Sequence, residues 1–352
     1  MKAWLYRLIQ NDSNNRAARA LKGFLWLLSF GYLGAVKTIQ GLYRLKLLKK
    51  KSLPRSVISI GNLTLGGTGK TPLTGFVAEY LQEKGYVPAV LIRGYGAYKG
   101  VSDEVELYKE LCPGLRVAQG LDRFACGWEV LKENPKVNVF VMDDGFQHWA
   151  LDRDLEIVVI DATDPFGNGF LLPRGNLREP LASLRRADII VLTKVDLGAG
   201  NVPQIYEVIR RKNFHAVFVE SVYAPTRLVD LKDKGKSQDL AGLKGREAGL
   251  FSAIGNPQGF ERTMLALGCK VQAAYAFPDH YFYTKKDLEK ITQDAAAQGI
   301  KTLITTQKDA VKLRHLEQYI PPEVDLLVLA VVLKITKGEK EFKERLHAAL
   351  RR

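Results

Sequence analysis

The segment Ser56–Pro72 combines the residue types that bind a nucleoside triphosphate. It reads SVISIGNLTLGGTGKTP, with a β-branched run, a glycine-rich turn and Gly-Lys-Thr at the start of a predicted helix over 73–83. Small residues let backbone N–H groups surround phosphate oxygens, and a helix N-terminus adds partial positive charge. The lysine reaches the β- and γ-phosphates and the threonine hydroxyl holds Mg²⁺. The pattern predicts a P-loop whose nucleotide contacts come from Gly66, Gly67, Thr68, Gly69, Lys70 and Thr71.

Acidic residues follow another apolar run. Val137 to Met142 is predicted to be a buried strand, and it leads directly into Asp143-Asp-Gly-Phe-Gln-His148. Carboxylates opposite a phosphate loop hold Mg²⁺ directly or through water. Because Asp-Gly is also common in turns, an ordinary strand-end turn is the alternative. We predict that Asp143 and Asp144 lie near the metal.

A second nucleotide motif gives a rival function. Thr193-Lys-Val-Asp196 resembles the Asn/Thr-Lys-x-Asp sequence with which GTPases read guanine. The rival is therefore a GTP-binding switch or a metallocentre-assembly P-loop protein. Against it, Asp143-Asp144-Gly145 lacks the Asp-x-x-Gly spacing with which GTPases sense the γ-phosphate. A third hypothesis is a non-catalytic membrane scaffold, in which Lys70→Ala would leave cellular function intact.

The order of strands and helices predicts the fold class. Apolar runs that alternate with helical segments are typical of an α/β protein with a P-loop NTPase-like, doubly wound, mostly parallel sheet. Ligands of such sheets bind at the carboxyl ends of the strands, where both acidic and glycine-rich motifs fall. A polar, turn-rich stretch suggests a linker before a second, smaller α/β domain. The predicted divisions are a membrane-interface segment at 1–50, a P-loop core domain at 51–220, a linker at 221–249 and a C-terminal domain at 250–352.

The positive charge of the chain is concentrated at its N-terminus. The net charge is +14, but residues 1–55 hold twelve Lys/Arg and one Asp, a balance of +11 that leaves +3 for the other 297 residues. A nucleic-acid-binding protein would spread its basic residues over a folded face, so we predict no nucleic-acid partner. Three scattered cysteines, Cys112, Cys126 and Cys269, fit a reducing cytosol and no disulfide framework.

An apolar run within this basic segment predicts a membrane-interface helix. Gly23 to Val36 has no charged residue and lies between Lys22 and Lys37. As a helix it would span about 21 Å, which is short of the roughly 30 Å hydrocarbon core. Aromatic residues and neighbouring lysines favour a helix that lies in an anionic interface. A buried core helix is the alternative, and a secretory signal is disfavoured because no small-residue cleavage site follows.

Several motifs together resemble one family. In chain order they are Gly61-Asn-Leu-Thr-Leu-Gly-Gly-Thr-Gly-Lys-Thr-Pro72, Arg93-Gly-Tyr-Gly96, Asp143-Asp-Gly-Phe-Gln-His148, Leu171-Leu-Pro-x-Gly-x-Leu-Arg-Glu-Pro180, Phe277-Pro-Asp-His280 and Lys308-Asp-Ala-Val-Lys312. This set resembles the tetraacyldisaccharide 4′-kinase family of lipid A biosynthesis in Gram-negative bacteria, and the resemblance runs from about residue 20 to 315. Thr64 stands where other P-loops have their first glycine, and members of the family have a threonine at this place too.

The resemblance implies an activity and a location. It implies ATP- and Mg²⁺-dependent phosphorylation of the 4′-hydroxyl of a tetraacylated glucosamine disaccharide 1-phosphate. It also implies attachment to the cytosolic face of the inner membrane through the N-terminal helix. The lipid is then the substrate partner, and no protein partner is inferred.

The resemblance also implies roles for single residues. Asp144, with Asp143 beside it, matches the carboxylates near the metal and the nucleophile, and Glu179 resembles a further carboxylate on the metal side. Asp103 resembles a catalytic aspartate and His280 its partner. We expect Asp103 in the first α/β unit and His280 in the second.

Overall fold

The protein is described by a computed structural model that covers residues 16–94, 103–233, 235–279 and 281–350; the side chain of Asp103 is not described. The chain forms two compact units. The first contains the described residues of 1–94, 112–222 and 335–352, and the second those of 95–111 and 223–334. Two long strands, β7 (Val217–Asp230) and β12 (Asp325–Lys337), begin in one unit and end in the other.

The first unit is built on a parallel sheet, as predicted. Neighbouring strands follow the order β7-β6-β5-β1-β4-β2-β3, and the pairs β1–β4, β1–β5, β5–β6 and β6–β7 are parallel. The five inner strands β1, β2, β4, β5 and β6 are rich in β-branched residues and almost fully buried, as expected where helices cover a parallel sheet. Its elements are α1 (Arg16–Arg44), β1 (Ser56–Asn62), α2 (Lys70–Glu83), β2 (Pro88–Ile92), β3 (Arg116–Gln119), α4 (Arg123–Glu133), β4 (Val139–Asp143), β5 (Leu155–Asp161), β6 (Ile189–Thr193), α5 (Val202–Arg210), the start of β7 (Val217–Asp230) and α9 (Glu339–Ala349).

Strand register places the predicted motifs at one edge of this sheet. Ile60 of β1 pairs with Asp143 of β4, and Asp161 of β5 pairs with Thr193 of β6. Because these strands are parallel, the phosphate loop and the segments after β4, β5 and β6 all leave the sheet at the carboxyl edge.

Helix α1 is longer than the apolar run that predicted it. Four of its described residues are buried, namely Ala18, Leu25, Ser29 and Gln40. Phe24, Trp26, Leu27 and Phe30 are exposed. Within the described part of the chain, none of the helices has both the length and the apolar character needed to cross a membrane.

The second unit is a smaller α/β layer with parallel strands in the order β10-β9-β11-β12. Its main apolar core lies between these strands and helices α7 and α8, and includes Phe251, Leu288, Leu303 and Leu313. Its elements are α3 (Asp103–Leu111), the end of β7, β8 (Ser237–Gln238), β9 (Glu247–Ser252), α6 (Pro257–Ala266), β10 (Lys270–Ala276), α7 (Lys285–Ala297), β11 (Thr302–Thr306), α8 (Gln307–Leu313) and most of β12 (Asp325–Lys337).

The two units differ from the predicted division in three places. Helix α3 groups with the second unit, where Glu110 forms an ion pair with Arg314, and this placement corrects the expectation that Asp103 belongs to the first unit. The expected linker at 221–249 holds the second half of β7, strand β8 and the start of β9. Helix α9 returns to the first unit, where His347 Nε2 lies 2.8 Å from the hydroxyl of Tyr80.

Candidate active site

The phosphate loop has the backbone that a bound polyphosphate requires. Gly66 and Gly69 have φ angles of +118° and +94°, a region that residues with a Cβ rarely adopt. Helix α2 begins at Lys70 without a side-chain cap on its N-terminus. The hydroxyl of Thr68 is buried and, among the described residues, has no hydrogen-bond partner. An uncapped helix end and an orphaned buried hydroxyl in a glycine-rich turn fit a phosphate group.

Lys70 belongs to a charged cluster that links three segments. Its ammonium group lies 3.2 Å from Asn62 Oδ1 and 3.6 Å from Asp144 Oδ1. Arg178 approaches Asp144 with both terminal nitrogens, at 2.7 and 3.2 Å. The cluster therefore joins the end of β1, the start of α2, the turn after β4 and the Leu-Arg-Glu-Pro loop.

The charge of Asp144 is fixed by this cluster. Burial raises the pKa of its carboxyl, but Lys70 and Arg178 outweigh burial and lower the pKa to about 2. Asp144 also has a φ of +53°, which aspartate tolerates better than most residues. An aspartate with this pKa stays ionised at neutral pH, so it suits binding of cations better than removal of a proton.

Asp143 and Thr71 meet on the other side of the same turn. The Thr71 hydroxyl lies 3.5 Å from Asp143 Oδ2, and the other Asp143 oxygen accepts a hydrogen bond from the Asp144 N–H at 2.8 Å. A hydroxyl and a carboxylate beside a phosphate loop suit Mg²⁺, which takes few protein ligands and completes its shell with phosphates and water. No three His, Cys, Asp or Glu side chains come together as a metal cage in the described ranges.

Close packing holds the Asp143–Phe146 turn against β1. Gly145 donates its N–H to the carbonyl of Ile60 at 3.0 Å. A Cβ on Gly61 would lie 2.5 Å from both the Cβ and the nitrogen of Phe146, so only glycine fits there. This contact fixes the distance between the phosphate loop and the two aspartates.

Glu179, the predicted further carboxylate on the metal side, has an arginine and an amide as its partners in this structure. The residue is 1% exposed, and its carboxylate accepts hydrogen bonds from Arg186 at 2.7 and 3.1 Å and from Gln40 of α1 at 2.6 Å. The structure thus pairs Glu179 with an arginine and with the N-terminal helix. Asp143 and Thr71, by contrast, contact each other directly.

The carboxyl end of β6 also contacts the phosphate loop. The Thr193 hydroxyl lies 2.8 Å from the carbonyl oxygen of Thr68, and the Lys194 ammonium lies 3.2 Å from that of Gly67. Lys194 forms a buried ion pair with Asp161 of β5. These contacts brace the loop from neighbouring strands.

The structure brings most of the predicted site together. Thr71, Asp143, Lys70 and Asp144 make the contacts described above. The sequence analysis missed Asn62 and Arg178, although both lie inside motifs that were recognised. The available signal for Asn62 was a polar residue at the end of a strand. For Arg178 it was an arginine beside the predicted metal-side glutamate. Asp103 begins α3, but its side chain lies outside the described residues, as does all of His280.

Comparison with known proteins identifies the family. The profile of the family described as LpxK, tetraacyldisaccharide-1-P 4′-kinase, matches residues 21–351. This chain belongs to the tetraacyldisaccharide 4′-kinase family. The family assignment that the motifs predicted is confirmed, and the protein is a P-loop kinase of lipid A biosynthesis.

Members of this kinase family match this chain over most of their length. A tetraacyldisaccharide 4′-kinase from Anaeromyxobacter dehalogenans (strain 2CP-C) is 39% identical over 314 residues, which cover 84% of this chain and 82% of the relative. One from Syntrophus aciditrophicus (strain SB) is 36% identical, with 86% of each chain covered. Among solved structures, the "apo" form LpxK from Aquifex aeolicus in complex with ATP matches with a TM-score of 0.72 and 29% identity, over 94% of this chain and 99% of that one.

Proposed function

We propose that this kinase transfers the γ-phosphate of ATP, with Mg²⁺, to the 4′-hydroxyl of a tetraacylated glucosamine disaccharide 1-phosphate. The observation that carries the proposal is the cluster of Lys70, Asp144 and Arg178 at the uncapped N-terminus of α2. It combines a phosphate cradle with a carboxylate held ionised beside it. A solved relative bound to ATP supports the choice of nucleotide.

Each residue of the cluster has a role on the donor side. The loop from Gly66 to Thr71 holds the phosphates through its backbone N–H groups and the Thr68 hydroxyl. Asp143 and Thr71 would hold Mg²⁺, which neutralises charge on the β- and γ-phosphates when bound. Lys70 would contact the β- and γ-phosphates, and Arg178 keeps Asp144 charged. Glu179, whose carboxylate accepts hydrogen bonds from Arg186 and Gln40, is proposed as a further carboxylate on the metal side.

Asp103 and His280 are proposed to act together on the acceptor hydroxyl. In phosphoryl transfer the hydroxyl proton leaves late, so an aspartate contributes mainly by orienting the hydroxyl. If the two residues act as one unit, Asp103→Ala and His280→Ala should each lower kcat by about 10²–10⁴, and the double variant should be little worse than either. Additive losses in a steady-state assay would contradict the pairing.

Helix α1 is proposed to lie in the cytosolic surface of the inner membrane. Its exposed Phe24, Trp26, Leu27 and Phe30 offer apolar surface, and neighbouring lysines and arginines suit anionic headgroups. In co-sedimentation with anionic vesicles, Phe24→Ser/Leu27→Ser should bind weakly. The control Leu265→Ser removes a similarly exposed residue from the second unit and should bind normally. High salt alone should release only part of the unaltered protein, and complete release would contradict insertion of the apolar face.

The test of the main proposal is a direct assay. The purified full-length protein, with detergent, is incubated with Mg²⁺-ATP and the disaccharide 1-phosphate lipid. We expect a bisphosphorylated lipid that the Lys70→Met variant does not form. Failure to phosphorylate any acylated disaccharide, from a preparation that still binds ATP, would overturn the proposal.

A further inference from the structure

Arg153 is a buried arginine between the Asp143–Phe146 turn and β5. Its side chain is 10% exposed. The guanidinium donates to three main-chain carbonyls of the preceding loop, namely those of Gly145 at 3.4 Å, His148 at 2.6 Å and Leu151 at 3.3 Å. Arginine suits this task because its five N–H donors are fixed in one plane, whereas lysine has three donors on a flexible stem. One side chain therefore binds both ends of the loop over 145–151.

Glu156, the second residue of β5, binds the same guanidinium. The residue is 4% exposed, and its carboxylate accepts hydrogen bonds from Arg153 at 2.6 Å and from the Ser59 hydroxyl at 2.6 Å. Burial raises the pKa of this carboxyl, and the Arg153 guanidinium is the strongest of the groups that oppose the rise. A buried charge without a partner is costly, so Arg153 and Glu156 each require the other.

This pair is joined to β1, the strand that leads into the phosphate loop. Ser59 of β1 pairs in register with Glu156 of β5. A Cβ on Gly145 would lie 2.4 Å from the Ser59 Oγ, so the turn lies directly against this hydroxyl. The Gly145 N–H donates to Ile60 of β1, while the Gly145 carbonyl accepts from Arg153. Gly145 is therefore held through both of its main-chain polar groups.

The turn that is held in this way carries the two aspartates of the site. Asp143 is the last residue of β4, and Asp144 comes directly before Gly145. The Thr71 hydroxyl lies 3.5 Å from Asp143 Oδ2, and this distance depends on the position of the turn. Mg²⁺ demands short bonds and near-ideal octahedral geometry. A shift of the turn by a fraction of an ångström would therefore weaken binding of the ion.

We infer that Arg153 is a positioning residue for Asp143 and Asp144, and that Glu156 keeps the Arg153 guanidinium in place. Arg153 acts through the main chain of the turn and contacts neither the nucleotide nor the metal. Groups that orient the ligands of a metal typically change its affinity or the activity by about 10- to 100-fold when they are lost. The inference rests on the proposed function for the assignment of Mg²⁺ to Asp143 and Thr71.

Two variants separate positioning from stability. Glu156→Gln keeps the Arg153 donors but leaves the guanidinium without a buried counter-charge, so the protein should unfold at a lower urea concentration. Arg153→Met/Glu156→Gln removes both charges and should be no less stable than Glu156→Gln, yet it leaves no donor for the loop carbonyls. The two proteins therefore differ in the feature to which we assign the positioning.

The first arm measures how binding of a fluorescent ATP analogue to the full-length protein depends on Mg²⁺, without lipid. We expect the Mg²⁺ concentration at half-saturation to rise about tenfold or more in Arg153→Met/Glu156→Gln, and less than about twofold in Glu156→Gln. Arg153→Lys keeps the buried pair of charges but not the fixed fork of donors, so it should show a smaller rise than the double variant. If the double variant does not fold, Arg153→Lys decides alone, and an unchanged Mg²⁺ requirement would overturn the inference.

The matched control is Arg55→Met. Arg55 also donates to a main-chain carbonyl, that of Val137 at 3.1 Å, but this residue precedes the opposite end of β4. Its loss should leave the Mg²⁺ requirement unchanged.

The second arm supplies the lipid and measures turnover, which separates the possible failures. Mg²⁺-dependent nucleotide binding without lipid phosphorylation by the unaltered protein would overturn the kinase proposal and leave the role of Arg153 standing. Nucleotide binding by the unaltered protein that does not depend on Mg²⁺ would overturn both. An Mg²⁺ requirement that is the same in Glu156→Gln and in the double variant, or that follows their unfolding midpoints, would overturn the role of Arg153 whatever the lipid assay gives.

Discussion

Two lysine–aspartate pairs in this protein show how the same residue types serve different purposes. Lys70 and Asp144 lie 3.6 Å apart, and their side chains are 18% and 20% exposed. Lys312 and Asp309 in the second unit lie 3.2 Å apart, and their side chains are 1% and 0% exposed. The first pair is loose and open to a ligand, while the second is sealed.

Hydrogen bonding reinforces the contrast. Asp309 Oδ2 accepts bonds from the Ala253 N–H at 3.1 Å and the Thr306 hydroxyl at 2.7 Å, and Oδ1 binds Lys312. The hydrogen-bonding capacity of the Asp309 carboxylate is therefore used by groups of the second unit. We conclude that the Lys-Asp-Ala-Val-Lys motif is structural and organises the ends of β9 and β11, whereas the motif around Asp144 keeps groups available for substrate.

The largest expected effect comes from breaking the sealed pair. Asp309→Ala leaves a buried ammonium without its partner, which costs about 3–5 kcal/mol. Urea unfolding followed by fluorescence should show this loss. The paired change Asp309→Leu/Lys312→Met removes both charges and should recover much of the lost stability. If Asp309→Ala unfolded like the unaltered protein, the pair would not be structural.

A smaller effect, of a different kind, is expected from the open pair. Lys70→Met should lower kcat by about 10²–10³, equivalent to roughly 2.7–4 kcal/mol of transition-state stabilisation, because it removes a charge aimed at the transferred phosphate. The free energy of unfolding should change little, since Arg178 still pairs with Asp144. Lys50→Met, at an exposed surface pair, is the matched control and should affect neither quantity. A loss of stability as large as that of Asp309→Ala would contradict the contrast.

The smallest expected effect is the pH-dependent contribution of ionised Asp144 to folding stability. Its pKa of about 2 lies below the ordinary value of 3.8, so ionised Asp144 stabilises the folded state above about pH 4. That contribution, about 2 kcal/mol, should disappear as the pH falls from 4 through 2. The difference in unfolding free energy between the unaltered protein and Asp144→Asn, measured from pH 7 downwards, should shrink over this window. A constant difference would show that Lys70 and Arg178 do not stabilise the charge.

Local sequence predicted the parts of this molecule that local physics decides. The β-branched runs form buried strands. Gly66 and Gly69, which the P-loop motif placed in the phosphate turn, have the positive φ angles that such a turn requires. Residues that follow neighbouring parallel strands meet at one edge. Thr71 and Asp143, 72 positions apart, are therefore in contact as expected.

The long-range contacts of side chains and helices could not be predicted in the same way. The partners of the Glu179 carboxylate, Arg186 and Gln40, were not foreseen, and Gln40 is 139 positions away in the chain. Helix α3 follows β2 in sequence but packs in the second unit, so chain order misplaced Asp103. Both cases depend on long-range packing that one sequence does not encode in a readable pattern.

The contacts of α1 with the Leu-Arg-Glu-Pro loop have a consequence for how the enzyme senses its surroundings. The Tyr32 hydroxyl donates to the carbonyl of Arg178 at 2.9 Å, and Ser29 accepts from the N–H of Arg174 at 3.2 Å. One tyrosine therefore separates the proposed lipid-facing helix from the arginine that holds Asp144. With α1 seated in a bilayer, membrane curvature and lateral pressure would alter the turnover number itself, and not only the local supply of lipid. The bilayer would then act as part of the enzyme's scaffold as well as the reservoir of its substrate.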